Sequence, residues 1–299
     1  MIMFDDTSAE KYFVAAIGGV DGLGNRSICR LVKFFGTAQS AWFADDADLM
    51  RIGIRRKSIE NFIAFRRGNR DAPKMLADYC RRHNFKICSF FDDDYPPMLK
   101  EIDTPPMFFY YRGKLEPFAT RIAVVGARDN TSHGQSVALE LGEQLSAAGL
   151  TVVSGAARGI DTFAHTGALK SGRTVAVLGC GIEYAFSGSQ RTLLEKIAEN
   201  GVVISEFNLM ISPTSGTLAA RNRVIAGLSK GLVVVEAGEK SGALIAANYA
   251  VNYQRSLFAV LGSASSDKSI GCHNLIRDGA FPVISFRSVL DKLMSDSHE

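Results

Sequence analysis

Four glycine-rich turns, each set directly behind a short β-branched run, constrain this chain more than any other feature. They are VVGARDN (Val124 to Asn130), VVSGAARGID (Val152 to Asp161), VLGCG (Val177 to Gly181) and VVVEAGEKSG (Val233 to Gly242). In a parallel sheet the carboxyl ends of all strands lie along one edge, where open α/β folds bind their ligands. Glycines let a backbone approach closely, helix N-termini offer free N–H groups, and arginines add charge. The expected ligand is an anion, foremost phosphate.

From Arg121 onward the pattern alternates strand and helix. Strands are expected near Ile122–Val125, Thr151–Ser154, Thr174–Leu178, Val202–Ser205, Leu232–Glu236, Leu257–Leu261 and Pro282–Ser285. Helices are expected near Gly134–Ala148, Thr162–Ser171, Gln190–Asn200, Thr217–Ser229, Ser241–Tyr253 and Gly271–Asp278. Nearly continuous apolar strands joined by such helices specify an α/β fold, a doubly wound, mainly parallel sheet covered on both faces. Residues 119–299 are taken as this sheet domain. Residues 71–118 are taken as a connector that opens it, with a helix, a short strand over Phe85–Phe91 and an irregular proline-rich stretch. The aromatic cluster Phe108–Tyr111 there is read as buried packing, with base stacking beside Arg112 and Lys114 as the alternative.

Residues 1–70 have helical periodicity and no convincing strand. Apolar spacing from Tyr12 to Phe35 is broken by IGGVDGLGN (Ile17 to Asn25), and a weaker echo follows at LMRIGIRRKSIENFI (Leu49 to Ile63). Two readings fit: a small helical bundle whose glycines turn corners, or a helix-hairpin-helix module facing DNA phosphates. Arg51, Arg55, Arg56, Lys57, Arg66, Arg67 and Arg70 face a single acid, Glu60, across residues 51–70. Such a run is either a solvated face or a contact surface.

The net charge of +3 is too mild for a global basic field, so nucleic acid would bind at a local patch. The odd count of five cysteines without CxxC spacing argues for reduced thiols and against a zinc site or disulfide frame. His133, His165 and His273 sit in separate segments, so no metal is expected, and His165 is read as structural. The N-terminus is acidic where a signal peptide is basic, and no apolar run approaches ~18 residues. A cytoplasmic protein without a membrane segment is expected.

A dinucleotide cofactor fits poorly, because the first turn is GAR rather than GxGxxG and the second strand ends in Ser154 instead of an acid. A P-loop is absent, since Glu239 stands where the glycine before Lys240–Ser241 belongs. No cofactor is expected. The remaining candidates are phosphate donors: Gly126 and Arg128 after the first strand, and Ser154, Gly155, Arg158 and Gly159 after the second. Arg173 precedes the third strand and Arg191 opens the helix after it. Arg221, Asn222 and Arg223 are expected early in the helix near Thr217, and Lys240, Ser241 and Gly242 at the next helix N-terminus, with Ser241 as N-cap. Donors spread over successive strand ends suit a polymer or a large nucleotide.

From about Asp94 to Val289 the chain resembles the DprA/Smf family of DNA-processing proteins of natural transformation. The matching pieces are DYPPMLKEIDTPPMFFYYRG, IAVVGAR, VVSGAARGIDTFAH, TVAVLGCGIE, ISEF, RNRVIAGLS, VVVEAGEKSGALI, FAVLGS and SIGCHNLIRDGA. The resemblance implies an extended Rossmann-like fold, single-stranded DNA binding as a homodimer, help in loading a RecA-type recombinase, and no enzymatic activity. It also implies a small helical domain at residues 1–70 and, from the end at Glu299, no C-terminal winged helix. By position it implies that Arg128 is a main DNA contact, that Arg173 takes part in binding, and that Arg158, Arg221, Arg223 and Lys240 line the same pocket. Three departures stand out: GAR replaces GSR, AFSGSQRTL (Ala185 to Leu193) replaces a tyrosine-proline segment, and SPTSGTLAARNR lacks a phenylalanine-proline pair. The competing expectation is a nucleotide-binding enzyme or sensor akin to phosphoribohydrolases, with Glu236 or Glu239 as its carboxylate. The run EAGEKSGALI, however, lacks the PGG of that class.

Overall fold

The computed structural model describes residues 6–295. They form two compact units, one running to Tyr95 and taking in Asp103–Arg112, the other made of Pro96–Ile102 and the chain from Gly113 onward.

The first unit begins with helices α1 (Asp6–Gly18), α2 (Asn25–Phe35), α3 (Ala38–Phe43), α4 (Asp46–Leu49), α5 (Arg56–Gly68) and α6 (Ala72–Arg82). Strands β1 (Lys86–Ser89) and β2 (Phe108–Gly113) complete it, and the short α7 (Pro97–Lys100) between them in the chain belongs to the second unit. Trp42, Phe62, Ile28 and Leu31 are fully buried among the helices, and Trp42 meets Phe62 edge-on with centroids 5.7 Å apart. The stretch expected to be irregular contains a strand: β2 pairs antiparallel with β1, Tyr111 opposite Lys86 and Phe108 opposite Ser89. Prolines on its N-terminal side hid a run of Phe and Tyr that suits a pleated, half-buried surface. Phe108, Phe109 and Tyr110 are at most 4% exposed, so these rings pack the interior and are not free to stack on bases.

In the second unit every strand is parallel. They are β3 (Arg121–Val125), β4 (Thr151–Ser154), β5 (Thr174–Val177), β6 (Val202–Ser205), β7 (Gly231–Val234), β8 (Ser256–Val260) and β9 (Phe281–Val283). Their spatial order is β6-β5-β4-β3-β7-β8-β9. The chain winds outward from β3 to β6, then crosses back to lay β7 on the other side of β3. This makes the β3/β7 border the topological switch point. The connecting helices are α8 (Ser132–Ala147), α9 (Ile160–Ser171), α10 (Ile182–Phe186), α11 (Arg191–Asn200), α12 (Ser215–Gly227), α13 (Ala243–Asn252), α14 (Ile270–Arg277) and α15 (Phe286–Ser295). The short α10 and the last helix had no expectation in the sequence.

Strands β3 to β7 are buried along their whole length, which is why their sequences are apolar without alternation. Helices α8 and α9 cover one face through Leu141, Leu145, Ile160 and Ala164. Their close approach depends on glycine: a Cβ on Gly167 would stand 2.0 Å from the Leu139 carbonyl oxygen, and one on Gly142 would stand 2.3 Å from that of Ala164. No helix among the described residues is long and apolar enough to cross a membrane.

Candidate anion-binding edge of the sheet

Two adjoining cavities open at the carboxyl edge of the parallel sheet. The first, of about 610 Å³, sits over the switch point and is lined by Gly126, Arg128, Asn222, Lys240, Ser241 and Gly242, among others. The second, of about 550 Å³, lies over the ends of β4 and β5 and is lined by Gly155, Arg158, Cys180, Tyr184, Gln190 and Pro213. Arg128, Ala157 and Leu218 belong to both walls. The shared walls join the two, with cations on both and the apolar and amide groups Leu178, Tyr184, Gln190 and Pro213 on the second.

Three cations on this rim are free. Arg128, Arg158 and Lys240 are exposed, and among the described residues none of them makes a hydrogen bond or ion pair within 4 Å. A fourth cation was missed in the sequence: Lys268 lines the first cavity and holds Asp129 through both its carboxylate and its carbonyl oxygen at 2.8 Å. Lysine and partner are separated by 139 residues, so no local pattern could reveal them. The Asp129 carboxyl is held below its usual range by Lys268 first and by Arg158 at longer range.

The other expected arginines hold the fold together. Arg221 is 5% exposed. Its Nη1 donates to the carbonyl oxygens of Gly155 (2.6 Å) and Val177, tying the ends of β4 and β5 together. It sits at the middle of α12, which begins at Ser215 behind a capping box of Thr214 and Thr217, rather than early in the helix as expected. Its countercharge is Asp161, whose carboxyl is pushed up by burial and pulled back by Arg221 and by the N–H groups of Gly155 and Ala157. To aim both N–H groups at one oxygen, Ala156 adopts a left-handed conformation at φ 50°, a strain of order 1 kcal/mol for a non-glycine residue. Gly155 is required because a Cβ there would lie 2.2 Å from the Arg221 guanidinium. Arg223, on the opposite side of α12, is buried against Glu206.

Ser154 and Gly159 also serve the scaffold. The Ser154 hydroxyl is buried and donates to the Val124 carbonyl oxygen at 2.6 Å. Gly159 takes φ 91°, and a Cβ there would stand 2.4 Å from the Ala127 carbonyl oxygen and 2.7 Å from that of Arg128. Arg191 lies outside both walls and pairs with Glu195 of its own helix at 2.8 Å. Arg173 is on the other edge of the sheet, bonded to the Lys114 carbonyl oxygen at 2.9 Å and to Glu116 at 3.2 Å. Ser241 accepts from the Ala243 N–H at 3.3 Å, but the N-cap position expected of Ser241 is occupied by Gly242, because α13 begins one residue later, at Ala243.

Glu236, a candidate carboxylate for the competing enzyme, accepts from the Thr131 N–H (2.9 Å) and hydroxyl (2.5 Å) beneath the α8 N-terminus. It is 6% exposed and spent on that cap. In the first unit Cys88, Asp92 and Asp94 bring ligand-type atoms within 4.8 Å of one another. There Asp92 already accepts from the Ser89 N–H and hydroxyl, and burial with two flanking carboxylates pushes the Cys88 thiol strongly up. That geometry describes a turn cap.

An open, parallel, doubly wound sheet with glycine turns at its switch point defines a Rossmann-like fold. The model of the family described as DNA recombination-mediator protein A matches residues 86–294, and the chain belongs to this DprA/Smf family. The Smf protein of Synechocystis is 36% identical over 293 residues, 96% of this chain and 73% of that one. The DNA processing protein DprA of Streptococcus pneumoniae is 38% identical over 69% of this chain and 73% of its own length. The X-ray structure of DprA from Streptococcus pneumoniae aligns with a TM-score of 0.79 at 30% identity, covering 97% of this chain and 98% of that one. DNA processing protein A of Helicobacter pylori, whose structure addresses a single-stranded DNA binding mode, aligns at TM-score 0.64 and 25% identity, over 71% and 96% of the two chains.

Proposed function

We propose that this protein binds single-stranded DNA along the carboxyl edge of its sheet, in the cytoplasm, and as a homodimer assists the loading of a RecA-type recombinase. The observation that carries the DNA reading is the set of unpaired cations, Arg128, Arg158 and Lys240, around two joined cavities at the switch point. The acids at this edge are engaged elsewhere, Asp129 by Lys268 and Asp161 by Arg221, so exposed cations without an ion-pair partner are left to attract an incoming anion. Arg128, common to both cavities, is the central phosphate contact. Lys240 with Ser241 and Gly242 serves a neighbouring phosphate at the α13 N-terminus, and Asn222 adds an amide donor to the same wall. The second cavity, with Tyr184, Leu178 and Pro213 beside Arg158, offers an apolar wall to a base. Phosphate contacts position a strand without reading it, so little sequence preference is expected.

The related phosphoribohydrolase-like reading loses support because Glu236 is buried under α8. Recombinase loading is supported by the description of the family as a DNA recombination mediator, and dimerisation by the resemblance to the DprA/Smf family alone, not by a surface identified on this chain.

Fluorescence anisotropy of labelled oligo-dT against a salt series tests the proposal. Arg128→Ala should weaken binding about tenfold or more and flatten the log–log salt slope by roughly 0.7, with the thermal midpoint unchanged. Equal affinity of wild type and Arg128→Ala would remove the basis of the reading.

A further inference from the structure

The two glycine hairpins of the first unit are copies of one another. Gly22 and Gly53 lie 31 positions apart, and at the same offset Arg26 matches Lys57, Ser27 matches Ser58, Ile28 matches Ile59, and Leu31 matches Phe62. Both glycines adopt positive φ, 84° and 73°, and both are followed by the helix that carries the matched residues, α2 or α5. The apolar matches, Ile28 with Ile59 and Leu31 with Phe62, are buried in both copies. The polar ones, Arg26 and Lys57, are exposed in both.

The copies also embrace each other. Asn61 on α5 donates to the Asp21 carbonyl oxygen in the first hairpin at 3.2 Å. Arg30, the matching residue on α2, donates to the Gly53 carbonyl oxygen in the second at 2.6 Å. The acceptors differ by one position, since Asp21 matches Ile52 at this offset, but a reciprocal exchange of side-chain-to-backbone bonds between matched elements is what an approximate two-fold axis between the hairpins produces. It sets both hairpins, with the helix starts behind them, side by side on one face.

That face is cationic. Arg26, Arg55 and Lys57 are exposed, and among the described residues no carboxylate lies within 4 Å of them. Arg56 beside them is partly neutralised by Glu60 at 3.0 Å. Asp21, at the tip of the first hairpin, carries the opposite sign.

We infer that this pseudo-two-fold cationic face of the first unit docks on the sugar-phosphate backbones of duplex DNA, one hairpin to each strand. Symmetry makes the choice of partner. The two strands of a duplex are related by two-fold axes, so matched hairpins meet matched phosphates, as two-fold proteins do on two-fold sites. A single strand has no such relation and would engage one hairpin at a time. The contacts are to backbone, so binding is independent of sequence. The face lies before residue 86, where the family model begins, and the inference does not rest on the sheet-edge reading.

The test uses the full chain, a labelled short duplex and labelled oligo-dT in low salt. Wild type should bind the duplex, and the combined variant Arg26→Ala/Arg55→Ala/Lys57→Ala should weaken it about tenfold, with the salt slope reduced by roughly 2 to 3, near 0.9 per lost contact. Its oligo-dT affinity should hold within about twofold, whereas Arg128→Ala should show the reverse pattern. Arg26→Ala and Lys57→Ala alone should cost similar amounts, and Asp21→Asn should tighten the duplex. All four positions are exposed, so an unchanged thermal midpoint confirms that each variant is folded. Duplex binding that survives the combined variant overturns the inference. So does a wild type that ignores duplex DNA, an outcome that would leave the face to an acidic protein surface. Strongly unequal effects of Arg26→Ala and Lys57→Ala overturn the two-fold arrangement.

Discussion

The two edges of the parallel sheet both carry prominent arginines, and the sheet treats them in opposite ways. At the amino edge Arg173 sits directly behind the C-terminus of α9 and Arg121 opens β3, and each finds acceptors in the Lys114–Pro117 segment. Arg121 is 3% exposed, and burial pushes its guanidinium down to about 10. At the carboxyl edge Arg128, Arg158 and Lys240 crowd around helix N-termini without acceptors. The helix dipole stabilises a cation at the first edge and opposes one at the second, by about 0.3–1 kcal/mol each. A cation placed against the dipole and left unpaired lowers stability unless an anion is to be bound there. Prominence in sequence therefore does not mark a ligand residue; an unmet charge in an unfavourable field does.

Arg221 offers the largest test of this contrast, because it lies at the carboxyl edge yet behaves as a scaffold group. Arg221→Ala strips donors from the Gly155 and Val177 carbonyls and leaves Asp161 buried without its countercharge. Removing one partner of a buried pair costs about 3–5 kcal/mol, which chemical denaturation should read as a lower midpoint at unchanged m-value. A variant that keeps wild-type stability but loses DNA would show Arg221 to be a ligand group and break the division.

Beneath the same edge, His165 gives a pH test. It is fully buried, with Nδ1 2.7 Å from the Thr174 hydroxyl. Burial first, and then the charge of Arg221, push it down to about 3 from its ordinary 6.5. Between those values the unfolded chain binds a proton that the folded chain refuses, so stability falls as pH drops below about 6.5. At pH 5 the loss is about 2 kcal/mol. His165→Leu should flatten the stability–pH profile by close to one proton in that interval. An unchanged slope would place the titration in other groups.

Much of the sheet was legible because its signal is local. Four-residue apolar strands between glycine turns give β4 and β6 their ends at Thr151–Ser154 and Val202–Ser205, as the residues alone predicted. The site was legible only as a region. Arg158 and Arg221 look alike in sequence, since both fall in basic motifs that match the family, and only tertiary distance makes one exposed and the other a brace between β4 and β5. Lys268 escaped notice for the same reason, its partner Asp129 being remote in the chain. Strand β2 was hidden by the prolines ahead of it, and Arg173 was placed on the wrong edge because a residue before a strand lies opposite one after it.

The smallest effects separate the edges most directly. Arg158→Ala removes an exposed, unpaired cation from the second cavity. It should weaken oligo-dT binding severalfold, take roughly 0.7 from the salt slope, and leave stability untouched. Arg173→Ala removes a cation equally close in sequence to a sheet strand but paired with Glu116 at the other end. Both partners are about one-third exposed, so solvent screening limits the stability loss to about 0.2–1 kcal/mol, and binding should change less than about twofold. The two variants remove the same charge from the same unit, so nonspecific attraction through net charge would weaken both alike. Equal losses would mean that DNA reads the whole basic surface; unequal losses, with Arg158 the larger, would confine the strand to the edge where the helices begin.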